Sequence, residues 1–352
     1  MEYIVPDCFK NFKCIADKCS DNCCIGWEID VDDETYEYYK SITEEFGERI
    51  INNIKCDECR HFMLDNDERC PFLDENNLCE IIINLGEDRI PEICRNHPRF
   101  YNWLYDRVEM GIGLCCEEAG RRLFASPEKL NVRVDYKLTD DLSDILTHLR
   151  ERAIEIAQNR DYSIFDRVKM FLELSKKADD CLINNNQSEI VALKDEFWEF
   201  GECKEKGMDG LEKLAILLKS LEPINNEWTQ YVDGLCSNID EIIKRKAEFF
   251  EFYNDKIYEY EHIFVYMLCR YYLRAVEDEN LLPWSNFIVL SVLLIMLMDI
   301  YSFILSGQVD RIYNAKLFSK EVEYSQENID LIIDASFDDF ENVSYLAELM
   351  GI

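Results

Sequence analysis

Cysteine constrains this chain more than any other residue. Of its sixteen cysteines, twelve fall within residues 8–116, and the other four (Cys181, Cys203, Cys236, Cys269) stand alone. The opening Met1-Glu2-Tyr3-Ile4-Val5-Pro6-Asp7 has neither a basic stretch nor an apolar one, so no secretory leader is expected. That places the thiols in the reducing cytoplasm, where they bind metals more readily than they pair. The clustered set runs Cys14-x4-Cys19-x3-Cys23-Cys24, Cys56-x2-Cys59, Cys70-x8-Cys79, Cys94 and Cys115-Cys116. Thiolate is a soft ligand suited to zinc or to an iron–sulfur cluster, and three or four must converge to hold either. Close spacings give local chelation, and folding brings in the distant ligands. Adjacent thiols such as Cys23 and Cys24 point in different directions, so they serve two sites, or one serves as ligand and the other as core. The spacings match neither a ferredoxin run nor a paired C-x2-C zinc ribbon, and they leave zinc and iron–sulfur both open. His97 is a further possible ligand, although a hydrogen-bonded structural histidine is the simpler reading. The four scattered cysteines read as small buried hydrophobes.

The cysteine-rich part carries short elements. A helix is expected after Asp32, running through Tyr36, Tyr39, Ile42, Phe46 and Ile50. Asp74-Glu75-Asn76-Asn77 reads as a hairpin turn, Tyr101 to Leu114 as a second hairpin, and a helix starts near Cys115. From Thr139 the periodicity is helical throughout: 140–159, 164–183, 188–204, 209–221, 226–252, 256–277, 284–306 and 326–349 with a break near 336. The separators are Asn184-Asn185-Asn186, Gly207, Pro223, Pro283 and Gly307. The expected fold is mainly α: a small irregular α+β cysteine-rich metal module over residues 1–126, followed by an α-helical domain over 127–352. Phe287 to Leu305 is apolar apart from Ser291, Asp299 and Ser302. Asp299 lies well inside the run, where lipid would penalise a charge, so a core helix is expected and not a membrane span.

The 72 acidic residues outnumber 38 basic ones, giving a formal charge of −34. That sign repels phosphate backbones, so nucleic acid is not an expected partner, whereas a lysine-bearing protein surface would be attracted. No G-x-G-x-x-G follows a strand and no βαβ rhythm appears, which argues against a Rossmann-type nucleotide domain.

Several stretches, taken in order, carry a resemblance: Phe12-Lys13-Cys14, Cys19-Ser20-Asp21-Asn22-Cys23-Cys24-Ile25-Gly26-Trp27 and Asp32-Asp33-Glu34-Thr35-Tyr36. They continue with Cys70-Pro71-Phe72-Leu73, Leu78-Cys79-Glu80-Ile81, Leu85-Gly86-Glu87, Cys94-Arg95-Asn96-His97-Pro98-Arg99 and Gly113-Leu114-Cys115-Cys116-Glu117-Glu118-Ala119. Together these resemble the N-terminal signature of flagellin lysine-N-methylases, over about a third of the chain. The stretch from Tyr260 to Arg270 fits that family's helical half more loosely.

The resemblance implies methyl transfer from S-adenosylmethionine to surface lysines of flagellin, with an iron–sulfur cluster, of the 4Fe–4S type, as the metal group and zinc as its alternative. Carried over by position, the metal ligands are Cys14, Cys19, Cys23, Cys24, Cys70, Cys79, Cys94 and Cys116. Cys115 stands where a small polar residue is expected and Glu117 where proline is, which leaves both members of the Cys115-Cys116 pair as candidates. Cys56 and Cys59 are extra to the pattern. Arg95 and Arg99 are candidates to clamp the adenosylmethionine carboxylate, and the residues single out no catalytic base. The alternative function is a non-enzymatic zinc- or iron-handling module with a helical partner-binding domain.

Overall fold

The computed structural model describes residues 3–20, 22–26, 29–57, 59–66, 68–184, 186–195 and 210–338, together with Ala347 and Met350. The protein is mainly α, with little strand. It divides into two compact units. One comprises Asn11–Phe100 and Cys116–Glu118; the other comprises Met1–Lys10, Tyr101–Cys115 and Ala119–Ile352.

A two-residue strand, Tyr3–Ile4 (β1), precedes the cysteine-rich unit. That unit holds helices Asp33–Lys40 (α1) and Glu45–Asn52 (α2), a hairpin of Ile54–Cys56 (β2) and Arg60–Phe62 (β3), and short helices Glu80–Leu85 (α3) and Glu92–Asn96 (α4). Asp32 starts α1 as expected, its Oδ1 accepting the Thr35 N–H at 2.9 Å and its Oδ2 the Glu92 N–H at 2.8 Å. The single helix expected through Ile50 is two helices. The chain turns at Ile42–Glu44, bringing the Ile42 carbonyl and side chain so close to Gly47 that no Cβ would fit there. Around Asp74 the expected turn is present, closed by a Leu73–Cys79 bridge. The core of this unit is Ile29, Val31, Tyr39, Ile50, Ile54, Phe62, Phe72 and Ile81, with Cys70 among them.

The hairpin expected over Tyr101 to Leu114 forms from Arg99–Trp103 (β4) and Val108–Ile112 (β5), with β1 parallel on the far side of β5. The helix expected near Cys115 is Glu117–Leu123 (α5). Then come Leu142–Ala157 (α6), Ile164–Ile183 (α7), Gln187–Ala192 (α8), Gly210–Ser220 (α9), Asn226–Ser237 (α10) and Ile239–Tyr253 (α11). They are followed by Tyr258–Tyr271 (α12), Ala275–Asp278 (α13), Leu281–Ser306 (α14), Arg311–Phe318 (α15) and Gln326–Asp338 (α16). The helix expected over 226–252 is broken at Asn238, whose side chain donates to the Gly234 carbonyl at 2.8 Å and ends α10. The expected helix 188–204 is described only to Asp195, and residues 196–209, including Cys203, lie outside the described residues, as does most of the chain beyond Asp338.

Helix α14 is apolar on every face and nearly all of it is buried, packed by α7, α9, α11, α12, α15 and α16. A helix hydrophobic all round belongs in a core or a membrane, and Asp299 decides between them. Its carboxylate is fully buried, accepts from Tyr260 Oη at 2.9 Å and Asn314 Nδ2 at 2.8 Å, and pairs with Arg311. Arg311 also reaches Glu259 at 3.2 Å. The neighbouring helices thus supply partners for Asp299 in the buried interior of the helical unit. A second buried carboxylate, Glu323, accepts from Tyr266 Oη at 2.9 Å and Tyr271 Oη at 3.1 Å and pairs with Arg270 at 3.0 Å. Tyr266 Oη in turn accepts the Leu114 N–H at 3.2 Å, fixing the chain just before the Cys115-Cys116 pair.

Candidate metal centre

The adjacent cysteines sort by unit. Cys115 is buried within the helical unit, where its thiol raises the pKa of the Tyr324 hydroxyl alongside burial. Cys116 and Glu117 belong to the cysteine-rich unit. Glu117, the residue found where proline was expected, accepts through Oε2 the Ser20 N–H at 2.7 Å, the Ser20 hydroxyl at 2.5 Å and the Cys19 thiol at 3.6 Å. It therefore ties the Cys19 loop to the Cys116 segment, a role that required an acid and gave no signal in the sequence. Cys14 is exposed, its sulfur accepting the Ala16 N–H at 3.3 Å.

The tightest gathering of thiols lies around Tyr39. Cys70 is buried in the core; Cys24, Cys79 and Cys94 pack against the same core. Local hydrogen bonds set them there. Cys70 donates its N–H to the Cys24 carbonyl at 3.1 Å, and Glu80 donates to the Phe72 carbonyl at 2.8 Å, placing Cys79 at the start of α3. Cys94 sits on α4, and the Tyr39 hydroxyl donates to the Arg89 carbonyl at 2.7 Å. Burial is the main cause that pushes the Cys94 thiol up, and Cys70, Cys79 and Cys23 push it further. Burial likewise lifts Cys70 to about 11 and raises Cys79, where the Ile82 and Ile81 N–H groups oppose it. Of the adjacent pair, Cys23 is thus the thiol within electrostatic reach of Cys94, and Cys24 packs on the core.

Three segments of the sequence, carrying Cys23, the Cys70–Cys79 turn and Cys94, therefore bring these thiols into one neighbourhood. These residues fit a thiolate-bound metal group. Crowded thiols disfavour one another's ionisation, most of all where they are buried as Cys70 is, and a bound cation removes that penalty by holding them as thiolates. Spacing bears on the group. Among the described residues, the one set of three candidate ligand atoms within 4.8 Å of one another is Asp57, Cys59 and His61, not the cysteine gathering. A single tetrahedral zinc would hold its sulfurs about 3.8 Å apart.

Arg95 and Arg99 flank the same α4 segment. Arg95 is exposed and donates to the Asp88 carbonyl at 3.1 Å; Arg99 donates to the Arg95 carbonyl at 2.9 Å and lies over the Phe12 ring at 5.8 Å. His97 caps α4 through its backbone N–H. Asp21 and Trp27 of the signature lie outside the described residues.

No solved structure matches this chain. A flagellar biosynthetic protein, FliU, from Salmonella muenchen is 26% identical over 136 residues, covering 36% of this chain and 78% of that protein. Lysine-N-methylases from Salmonella choleraesuis and Salmonella typhimurium are 26% identical over 136 residues, and the match spans 33% of each. The matched segment is thus a third of the length of those two relatives. Residues 150–350 match the FliB lysine N-methylase C-terminal domain. That match takes in more than half of the sequence, and the chain belongs to the FliB lysine N-methylase family.

Proposed function

We propose that this chain is an S-adenosylmethionine-dependent protein-lysine N-methyltransferase acting on surface lysines of flagellin. The observation that carries the reading is the family match over residues 150–350. The flagellar role in the name of the Salmonella muenchen relative supports flagellin as the protein substrate.

Methyl transfer to an amine is an in-line displacement on the donor's sulfonium methyl, so the lysine must arrive neutral. Its ordinary pKa is about 10.4, and acidic charge at the reacting nitrogen would hold the proton on. Desolvation must act at the centre, while the charge of −34 attracts the lysine-bearing surface from a distance. Cys23, Cys70, Cys79 and Cys94 would hold the metal group, an iron–sulfur cluster of the 4Fe–4S type, with zinc as the alternative. With all four cysteines bound, each iron of such a cluster would carry a protein ligand, and the group would order the cysteine-rich unit. Arg95 and Arg99, on the segment that follows Cys94, would pair with the adenosylmethionine carboxylate.

Calorimetric titration of adenosylmethionine into anaerobically prepared full-length protein tests the reading. Saturable binding near one equivalent is expected. Protein that retains its metal yet gives no binding would favour a metal-handling module with a helical partner-binding domain.

A further inference from the structure

The two cysteines outside the family pattern lie on the β2–β3 hairpin, and one of them stands in a different donor set. Asp57, Cys59 and His61 bring one carboxylate oxygen, one thiol sulfur and one imidazole nitrogen within 4.8 Å of one another. His61 Nδ1 lies 3.6 Å from Asp57 Oδ1 and 3.9 Å from Cys59 Sγ, and Cys59 Sγ lies 3.6 Å from Asp30 Oδ1. We propose that Asp57, Cys59 and His61 form a structural zinc site.

The geometry and the chemistry agree. With Zn–N and Zn–O bonds near 2.0–2.1 Å and Zn–S near 2.3 Å, a tetrahedron has ligand–ligand edges of about 3.3–3.6 Å. The His61–Asp57 and His61–Cys59 separations come within a few tenths of an ångström of those edges. One thiolate, one imidazole and one carboxylate make a borderline set that suits zinc better than calcium or magnesium, which take oxygen alone. Asp57 divides its carboxylate: Oδ2 accepts from Lys55 Nζ at 2.5 Å, and Oδ1 faces His61. Binding forms the zinc–sulfur bond and releases the Cys59 thiol proton to solvent.

The backbone gives the site a purpose. Val31 donates to the Arg60 carbonyl at 2.7 Å, Phe62 donates to the Ile29 carbonyl at 3.0 Å, and Asp30 bridges His61. Ile29, Val31 and Phe62 are core residues of the cysteine-rich unit. An ion held by Asp57, Cys59 and His61 would fix the β2–β3 hairpin, whose backbone is already bonded to that core segment.

The test is zinc and cobalt(II) titration of the full-length protein under anaerobic conditions, comparing wild type with Cys59→Ser and Asp57→Asn. Both positions are exposed, so the variants should fold, and circular dichroism checks that they do. Each variant is expected to bind one equivalent less zinc than wild type, or to bind it at least tenfold more weakly. Cys59→Ser should also lose one thiolate-to-cobalt absorption contribution. Wild type and both folded variants binding the same number of equivalents with the same affinity would overturn the site.

Discussion

Serine at Cys94 is expected to deprive the cysteine-rich unit of its metal and to unfold that unit. Cys94 packs against the same core as Cys70 and Cys79, so its loss removes one thiol from the proposed ligand set. Metal affinity in such a unit is folding free energy: for structural zinc it amounts to roughly 10–16 kcal/mol, more than a small core can replace. The unit's core is small and has thiols packed against it, which couples metal loss directly to the packing of Tyr39 and Phe72. Hydrogen exchange should show protection lost across residues 29–96 and retained in α14. The comparison is Cys236→Ser. Cys236 is half-buried in the helical unit and its thiol donates to the Ala215 carbonyl at 3.5 Å, a bond that a hydroxyl can keep. It should cost about 1 kcal/mol and leave metal content unchanged. Equal metal loss in the two variants would contradict the assignment of the centre.

Glu321→Gln should stabilise the protein at alkaline pH and not at acid pH. Glu321 is buried, and its Oε1 accepts the Ile224 N–H at 3.1 Å. Burial lifts its carboxyl to about 7, against an ordinary 4.5, with the Ile224 hydrogen bond opposing the rise. The folded state therefore holds the proton more tightly than the unfolded chain does. This group's contribution is most favourable below about pH 4.5 and is lost as pH rises through about 7. Above that, the charged carboxylate costs the fold about 1–3 kcal/mol. Glutamine keeps the acceptor and removes the charge. Melting temperature at pH 8 should rise by roughly 3–10 °C relative to wild type, with little change at pH 5. A variant less stable than wild type at pH 8 would show that the carboxylate has a compensating partner.

Much of the fold could be read from the sequence because its signals are local. The 3.6-residue period marked α6, α7, α9, α12 and α14, and Asp32 and Gly307 marked ends. Gly307 adopts a positive φ of 70° and donates to the Phe303 carbonyl, closing α14 as a glycine stop should. The misses came from contacts made in three dimensions. The α1–α2 turn depends on the fit of Ile42 against Gly47, which periodicity does not sense. Helix α15 gave no clean stripe, because Arg311 and Asn314 are buried polar residues that serve Asp299. Asp310 starts it, accepting the Tyr313 N–H at 3.0 Å, and the sequence analysis expected no helix there. At the site, clustering identified the cysteine-rich part, but only folding shows that Cys24 packs against the core while Cys23 is exposed. His61 went unnoticed because its partners Asp57 and Cys59 sit on the turn of a hairpin too short to signal itself.

Labelled methyl transfer tests the proposed activity most directly. Anaerobically prepared, metal-replete protein is incubated with isotope-labelled adenosylmethionine and flagellin from the same cell, and flagellin peptides are read by mass spectrometry at low and high salt. Methyl-sized mass increments on lysine are expected, with higher salt slowing transfer through weaker association and leaving the saturated rate unchanged. Flagellin with exposed lysines that stays unlabelled, although the protein carries its full complement of metal, would contradict the proposed methyltransferase.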